Sequence, residues 1–436
     1  MPGAINHHRP PADSLTMLDS TITAVARPAI DSGSTAWMLT SSALVLLMIP
    51  GLALFYGGMV RRKNILTTMM QSFVAMAVIG VQWVTIGYAI AFGQSHGGLF
   101  GWSWDMVGLQ GIGPERMYAD KAIPELVFVM FQGKFAIITP ALISGAVAER
   151  MRFSSYLWFT LLWATFVYCP LAHWVWASDG WLFKLGVLDF AGGTVVHIAA
   201  GISALVLAMM LGKRRDYPDG AILPNNLTLT LTGAGLLWFG WFGFNAGSAV
   251  AVEFPVAGAT AGLAFATTQT AAATAALAWM LLEWRHTGKP TSLGLASGIV
   301  AGLVAITPAA GHVRPLSAMV IGAVASIVCY VAVRMKHRSG LDDSLDAFGV
   351  HGVGGIWGAL ATGLFCFVPV AGLLSGGGFT QLGKQTIGVL VTIAFTSIGT
   401  FVIAKLLDTT LGLRVTEQQE RDGLDISVHG ERGYHL

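Results

Sequence analysis

Two histidines in this chain stand where a polar ring is costly. His197 lies in "DFAGGTVVHIAAG" (189–201) and His351 in "DAFGVHGVGGIWG" (346–358), each behind an aspartate, among glycines, at the opening of a long apolar run. Uncharged, an imidazole offers one hydrogen-bond donor and one acceptor without placing a charge in an apolar passage. As a pair, two imidazoles also suit the axial positions of a haem. The plain alternative for either ring alone is packing against a neighbouring helix. Two rings in matching contexts, flanked by glycines that admit a close backbone approach, point instead to a shared task. Asp189 fits a helix N-cap, its oxygens near free N–H groups, and a cap can also fix the shape of a site above it.

The elements that position these residues are membrane spans. Of 436 residues 54% are hydrophobic and only 11% charged, against roughly 25% charged in a soluble domain. Apolar runs long enough to cross a core of about 30 Å recur along the chain. They are continuous rather than alternating, which excludes a closed β-barrel. The fold class expected is therefore an all-α polytopic membrane protein. Eleven transmembrane helices are predicted near 35–59, 66–93, 123–147, 153–174, 191–211, 227–246, 258–282, 291–307, 314–335, 347–368 and 383–408. Gly- and Ala-rich stretches such as "GLAFATTQTAAATAALAWMLL" predict close helix packing through small residues.

Basic residues orient the chain. One set of alternating loops holds "RRK" (61–63), Arg150, Arg152, "KRR" (213–215), Arg285, Lys289 and "RMKHR" (334–338). The opposite set holds Arg116, Lys121, Lys184, Arg314 and Lys384, which makes 13 basic residues against 5. The first set is expected in the cytoplasm, with the N-terminus outside and the C-terminus inside a plasma (inner) membrane. These loops orient the protein and are no sign of a nucleic-acid partner. Residues 1–34 read as a mobile outer extension, since Asp13, Asp19 and Asp31 interrupt every short apolar run. Cys169, Cys329 and Cys366 are scattered singly and read as small buried hydrophobes.

The aspartate–glycine–histidine pattern opens the fifth span and then the tenth. Five spans per copy is an odd number, so the two halves must sit in opposite orientations, an inverted repeat. Repeat one is expected over about 35–211, repeat two over about 227–368, and a final helix over about 383–408 within a transporter domain at 35–408, followed by a cytoplasmic tail at 409–436. His197 and His351 would then approach each other from opposite sides of the bilayer.

Aromatic residues gather near the outer ends of several spans. "FVMFQGKFAIITPALISGAVAER" supplies Phe131, Gln132 and Phe135, "CPLAHWVWASDGW" supplies Trp176, and "WFGWFGFNAGSA" supplies Trp238, Trp241, Phe244, Asn245 and Ser248. Most such aromatics form interfacial belts. Aromatic faces around one hydroxyl also make a cation site, each desolvated contact worth up to about 2 kcal/mol.

The stretches "GLALFYGGMVRRKNIL", "FQGKFAIITPALISGAVAERMRF", "DFAGGTVVHIAAG", "GWFGFNAGSA" and "DAFGVHGVGGIWG" resemble, in order, the ammonium transporter (Amt/Rh) family, on the bacterial-like Amt side. The likeness runs from about residue 37 to the C-terminus, and "LGLRVTEQQERDGLDISVHGERGY" is similar to the family's cytoplasmic tail. The resemblance implies that Phe131, Trp176 and Ser248 form an outer ammonium recruitment site. It implies that Asp189 shapes this vestibule without touching the ion. Phe135 and Phe244 match a stacked gate, and His197 and His351 a hydrogen-bonded pair in the pore. It further implies a homotrimer with one pore per subunit and, at the cytoplasmic face, a nitrogen-signalling partner of the P-II type.

Elementary physics suits that order of groups. A bare monovalent cation entering an apolar environment faces tens of kcal/mol. Ammonium escapes this by shedding a proton and crossing as ammonia, whereas potassium cannot. The passage then needs a cation-attracting mouth, a hydrophobic gate, and inner groups that hydrogen-bond while staying neutral, as buried imidazoles do. The expected function is an ammonium transporter or channel passing ammonia with a proton, with no catalytic residue, cofactor or metal, and so no enzyme. Two rivals are an ammonium sensor with little transport and a haem-binding membrane redox protein. A cation channel is disfavoured by the lack of a carbonyl filter motif or an acidic ring. Fewer than 30 residues follow the last predicted span, which leaves no appended signalling domain and weighs against sensing alone. Lys134 stands beside Phe135 where a small or apolar residue is expected. Adjacent helix positions diverge by about 100°, so it is expected to face a subunit contact or a partner carbonyl.

Overall fold

The computed structural model describes residues 30–119, 121–218, 223–251 and 257–434. Of the expected outer extension, residues 1–29 lie outside the described residues, and Ser32 to Ser34 already belong to a helix. That helix, α1 (Ser32–Met59), starts where it does because the Asp31 carboxylate accepts the Ser34 N–H at 2.6 Å, filling one free donor of the first turn.

α2 (Ile65–Gln82) loosens into a π turn at Trp83–Gly87 before α3 (Tyr88–Phe92). A two-residue antiparallel hairpin, Ser95–His96 against Phe100–Gly101, decorates the loop beyond it. α4 (Glu125–Val147) precedes α5 (Phe153–Trp163), which passes through a second π turn, Ala164–Tyr168, into α6 (Cys169–Trp176) and the short α7 (Trp181–Leu185). A third π turn, Gly193–Ile198, opens α8 (Ala199–Leu211). Then come α9 (Leu227–Gly247), α10 (Ala257–Thr287), α11 (Ser292–Ile306) and α12 (Pro315–Ser339). A fourth π turn, Phe348–Gly352, opens α13 (Val353–Phe365), and α14 (Thr380–Thr410) leads to the tail helices α15 (Glu417–Asp422) and α16 (Leu424–His429).

Among the described residues, nine helical segments are long and apolar enough to cross a membrane. α10 and the shorter α11 occupy the two remaining predicted spans. Small residues set the packing. α1 runs along α9, and a Cβ on Gly233 would collide with the backbone of Gly51 and Phe55. The more consequential crossing joins Gly201 of α8 to Gly352 in the fourth π turn, where a Cβ on Gly201 would overlap the Gly352 backbone. Without side chains between them, the two histidine-bearing segments meet backbone to backbone.

The basic loops gather at one end around a buried cluster of charges. Arg214 reaches Glu149 at 2.9 Å and Asp342 at 2.8 Å, and Arg61 and Asn64 complete the shell of Glu149 at 3.1 and 2.9 Å. The tail is tied to the same end. Arg414 donates to the Leu211 carbonyl that ends α8, and Asp425 accepts the Leu66 and Thr67 N–H groups at the start of α2.

Candidate functional site

The site is assembled where the segments carrying His197 and His351 cross. Asp189 precedes the third π turn and accepts from the N–H groups of Gly192, Thr194 and Val195 at 2.9, 2.8 and 3.2 Å, and from Gly193 at 2.5 Å. Its carboxylate is thus spent on capping the segment that carries His197, and it is buried. Its backbone carbonyl accepts the Trp176 indole N–H at 2.9 Å. The second motif differs. Asp346, the apparent counterpart, pairs with Lys336, while Asp343 caps the fourth π turn by accepting from Ala347 at 3.1 Å and Phe348 at 2.8 Å. The two motifs share a histidine and glycines, but their caps come from aspartates at different offsets.

From Trp176 inward, aromatic rings follow one another. Phe135 meets the edge of Phe131 at 4.9 Å and of Trp176 at 5.9 Å, and stacks on Phe244 at 4.1 Å and 29°. Phe244 lies 6.1 Å from His197, whose ring stacks on Trp241 at 5.4 Å. His351 follows, its ring centroid 5.4 Å from that of His197, and the two Nδ1 atoms are 3.3 Å apart. Ser248 is buried at the end of α9, and its hydroxyl donates to the Phe244 carbonyl at 2.9 Å. The eight residues to which the family resemblance gives roles are therefore in one region, six of them as a connected set of rings.

A narrow cavity lies inward of the stacked phenylalanines. Phe244, His197, Trp241 and His351 line it together with Leu52, Ile138, Leu142, Val196 and Val300. His197 Nε2 has no hydrogen-bond partner among the described residues. A second cavity meets His351 from the other side, with Tyr56, Ser297 and Asp346 on its wall. His351 thus separates an apolar chamber from a more polar one. Lys134 lines neither cavity and is only partly buried.

The directness of the imidazole contact bears on chemistry. Axial ligands to one haem face each other across a porphyrin plane, whereas these rings share a hydrogen bond. Two Nδ1 atoms can share only one proton, so the rings must adopt opposite tautomers, one exposing a bare Nε2 and the other an Nε2–H. Trp241 was not assigned to the site from sequence, although it stands three residues before Phe244 on α9 and shares its face. Its indole N–H donates to Thr307 at 2.9 Å, which fixes the ring against His197.

Comparison with known proteins shows the family to which the chain belongs. Residues 36–434 match the Ammonium Transporter Family. The chain is 48% identical over 407 residues to a Bacillus subtilis (strain 168) protein named ammonium transporter, covering 92% of this chain and 98% of that one. Its fold is similar to the crystal structure of Saccharomyces cerevisiae Mep2, with a TM-score of 0.80 and 36% identity, over 89% of this chain and 88% of that one. It is also similar to a protein named Sensor Amt Protein, with a TM-score of 0.82 and 30% identity, over 91% and 98% of the two chains. A match that spans almost the whole chain, in sequence and in fold, makes this protein a member of the ammonium transporter family.

Proposed function

We propose that the chain recruits ammonium at the cup formed by Phe131, Trp176 and Ser248, strips it of a proton, and passes ammonia between Phe135 and Phe244 to the His197–His351 pair. The single observation that carries this reading is the order of groups: ring faces at the mouth, a stacked phenylalanine pair, then two hydrogen-bonded imidazoles in an otherwise apolar chamber. Such a chamber has no anion to hold potassium. The imidazoles replace the hydrogen bonds that ammonia leaves behind in water, and the proton crosses along the same pair.

In this reading Asp189 shapes the mouth through its cap and its carbonyl contact to Trp176, without ligating the ion. The architecture is eleven spans with an inverted five-plus-five repeat, the N-terminus outside and the C-terminus inside the plasma membrane. The assembly is a homotrimer with a pore in each subunit. Gln269, exposed midway along α10, suits a face covered by a second copy. The tail meets a P-II-type nitrogen regulatory protein at the cytoplasmic face. A sensing role is the second reading, favoured by the likeness to the Sensor Amt Protein.

The test is current from purified protein in liposomes after jumps of ammonium and then of potassium. Ammonium-driven current with no potassium current supports transport. Potassium current overturns the mechanism; no current with either ion, but ammonia flux read as a pH change inside the liposomes, removes the proton from the transported unit, and neither current nor flux leaves sensing in its place.

A further inference from the structure

The segment between α7 and the third π turn is non-helical backbone packed inside a membrane protein, where every N–H and C=O needs a partner within the protein. At Leu188 that partner is a single side chain from the far end of the sequence. The Gln385 amide, on α14, accepts the Leu188 N–H at 2.7 Å and donates to the Leu188 carbonyl at 2.7 Å. This is the pattern of a strand neighbour, supplied by a side chain.

The amide is used to capacity. Its second N–H goes to the Ala359 carbonyl on α13 at 3.1 Å, and its oxygen also accepts from Gln381 at 3.1 Å. Gln381 in turn holds the Gly186 carbonyl at 3.0 Å. Two donors and two acceptor sites are thus all engaged, in a side chain with no exposed surface. Leu188 itself fixes which way the amide points, since its N–H can only meet the oxygen and its carbonyl only the nitrogen.

The next residue is Asp189, whose carbonyl holds the Trp176 indole at 2.9 Å. Ala359 lies on the helix that continues from His351. Gln385 therefore pins the strap behind Trp176 to the helix behind His351. We infer that Gln385 is a positioning residue for the outer cation cup, setting through Leu188 and Asp189 where the Trp176 indole stands. This rests on the reading of Trp176 as part of the ammonium recruitment site.

The experiment measures ammonium-driven current against ammonium concentration in liposomes for wild type, Gln385→Met, Gln385→Glu, Trp176→Leu and the Gln385→Met/Trp176→Leu double variant. Gln385→Met keeps the side-chain length and removes both Leu188 bonds. It should raise the half-saturating concentration on the order of five- to tenfold with little change in maximal current. In the Trp176→Leu background the same substitution should add nothing. Gln385→Glu keeps the acceptor for Leu188 and, when protonated, regains the donor. Measured against wild type at each pH, its half-saturation should recover on acidification, which a loss of packing would not do, and this variant serves as well should Gln385→Met fail to fold. An unshifted half-saturation in both Gln385 variants, or effects that multiply in the double variant, overturns the inference alone. An unshifted Trp176→Leu overturns the recruitment reading and this inference with it.

Discussion

The Nδ1 atoms of His197 and His351 stand 3.3 Å apart, in rings inclined by only 17°. Each imidazole therefore sets the tautomer of the other, and neither can be removed without consequence for its partner. His351→Ala leaves His197 with both nitrogens unpaired, a loss of roughly 1–3 kcal/mol. The space released admits water. The expected result is either no ammonium current or a leak of ions the wild type refuses, read as charge movement after ammonium and potassium jumps. Histidine variants indistinguishable from wild type in current and selectivity reduce the pair to packing.

Trp176→Leu removes one aromatic wall of the proposed cup and the indole bond to the Asp189 carbonyl. With a desolvated cation–aromatic contact worth up to about 2 kcal/mol, the half-saturating ammonium concentration should rise about tenfold. Assembly should be intact by size-exclusion chromatography. Unchanged affinity and selectivity would return Trp176 to the interfacial belt.

Arg214 sits between two buried carboxylates, Glu149 and Asp342. Burial raises both carboxyls, but Arg214, helped by Arg61 at Glu149, outweighs it and holds them below the usual carboxylate range. Groups whose folded pKa is depressed contribute stability that is present above their unfolded values, about 4, and lost as pH falls through the folded ones. Thermal unfolding in detergent should therefore reveal a loss of stability in wild type below about pH 4. Arg214→Leu should cost about 3–5 kcal/mol at neutral pH, because it leaves charges buried without a partner, and should shrink the acid-dependent loss. An Arg214→Leu melting curve that matches wild type at pH 7 contradicts this account.

The tail offers a fourth test. Leu413 accepts the Arg152 N–H at 2.8 Å, Arg414 holds the end of α8, and Asp425 caps the start of α2. Deletion from Leu413 onward removes no span, so the protein should still insert. Asp425→Ala removes only the cap, at about 1 kcal/mol. Both variants should lower ammonium current or abolish its response to a P-II-type partner. Full activity with unaltered partner binding rules that role out.

The residues differ in how legible they are from sequence, for physical reasons. Membrane spans announce themselves because apolar length is a local property, and the two histidines because each stands in an unusual context that occurs twice. Phe135 and Phe244 are ordinary residues of apolar helices, and only the family resemblance singles them out. Gln385 is hidden more deeply. It lies 197 positions from Leu188, and an amide in an apolar helix carries no mark of what it will bond. Asp343 and Asp346 lie three residues apart, and composition alone cannot tell which one caps and which one pairs with Lys336.

Both histidines sit in π turns, Gly193–Ile198 and Phe348–Gly352. Such a turn holds one residue more than an α turn of the same helix. The aim of each imidazole is thus set by a count of residues as well as by chemistry. Removing one residue from either turn would let the helix close up as ordinary α while swinging the histidine by about 100° relative to the residues before it. A chain shorter by one residue could keep every side chain named at this site and still lose the pair.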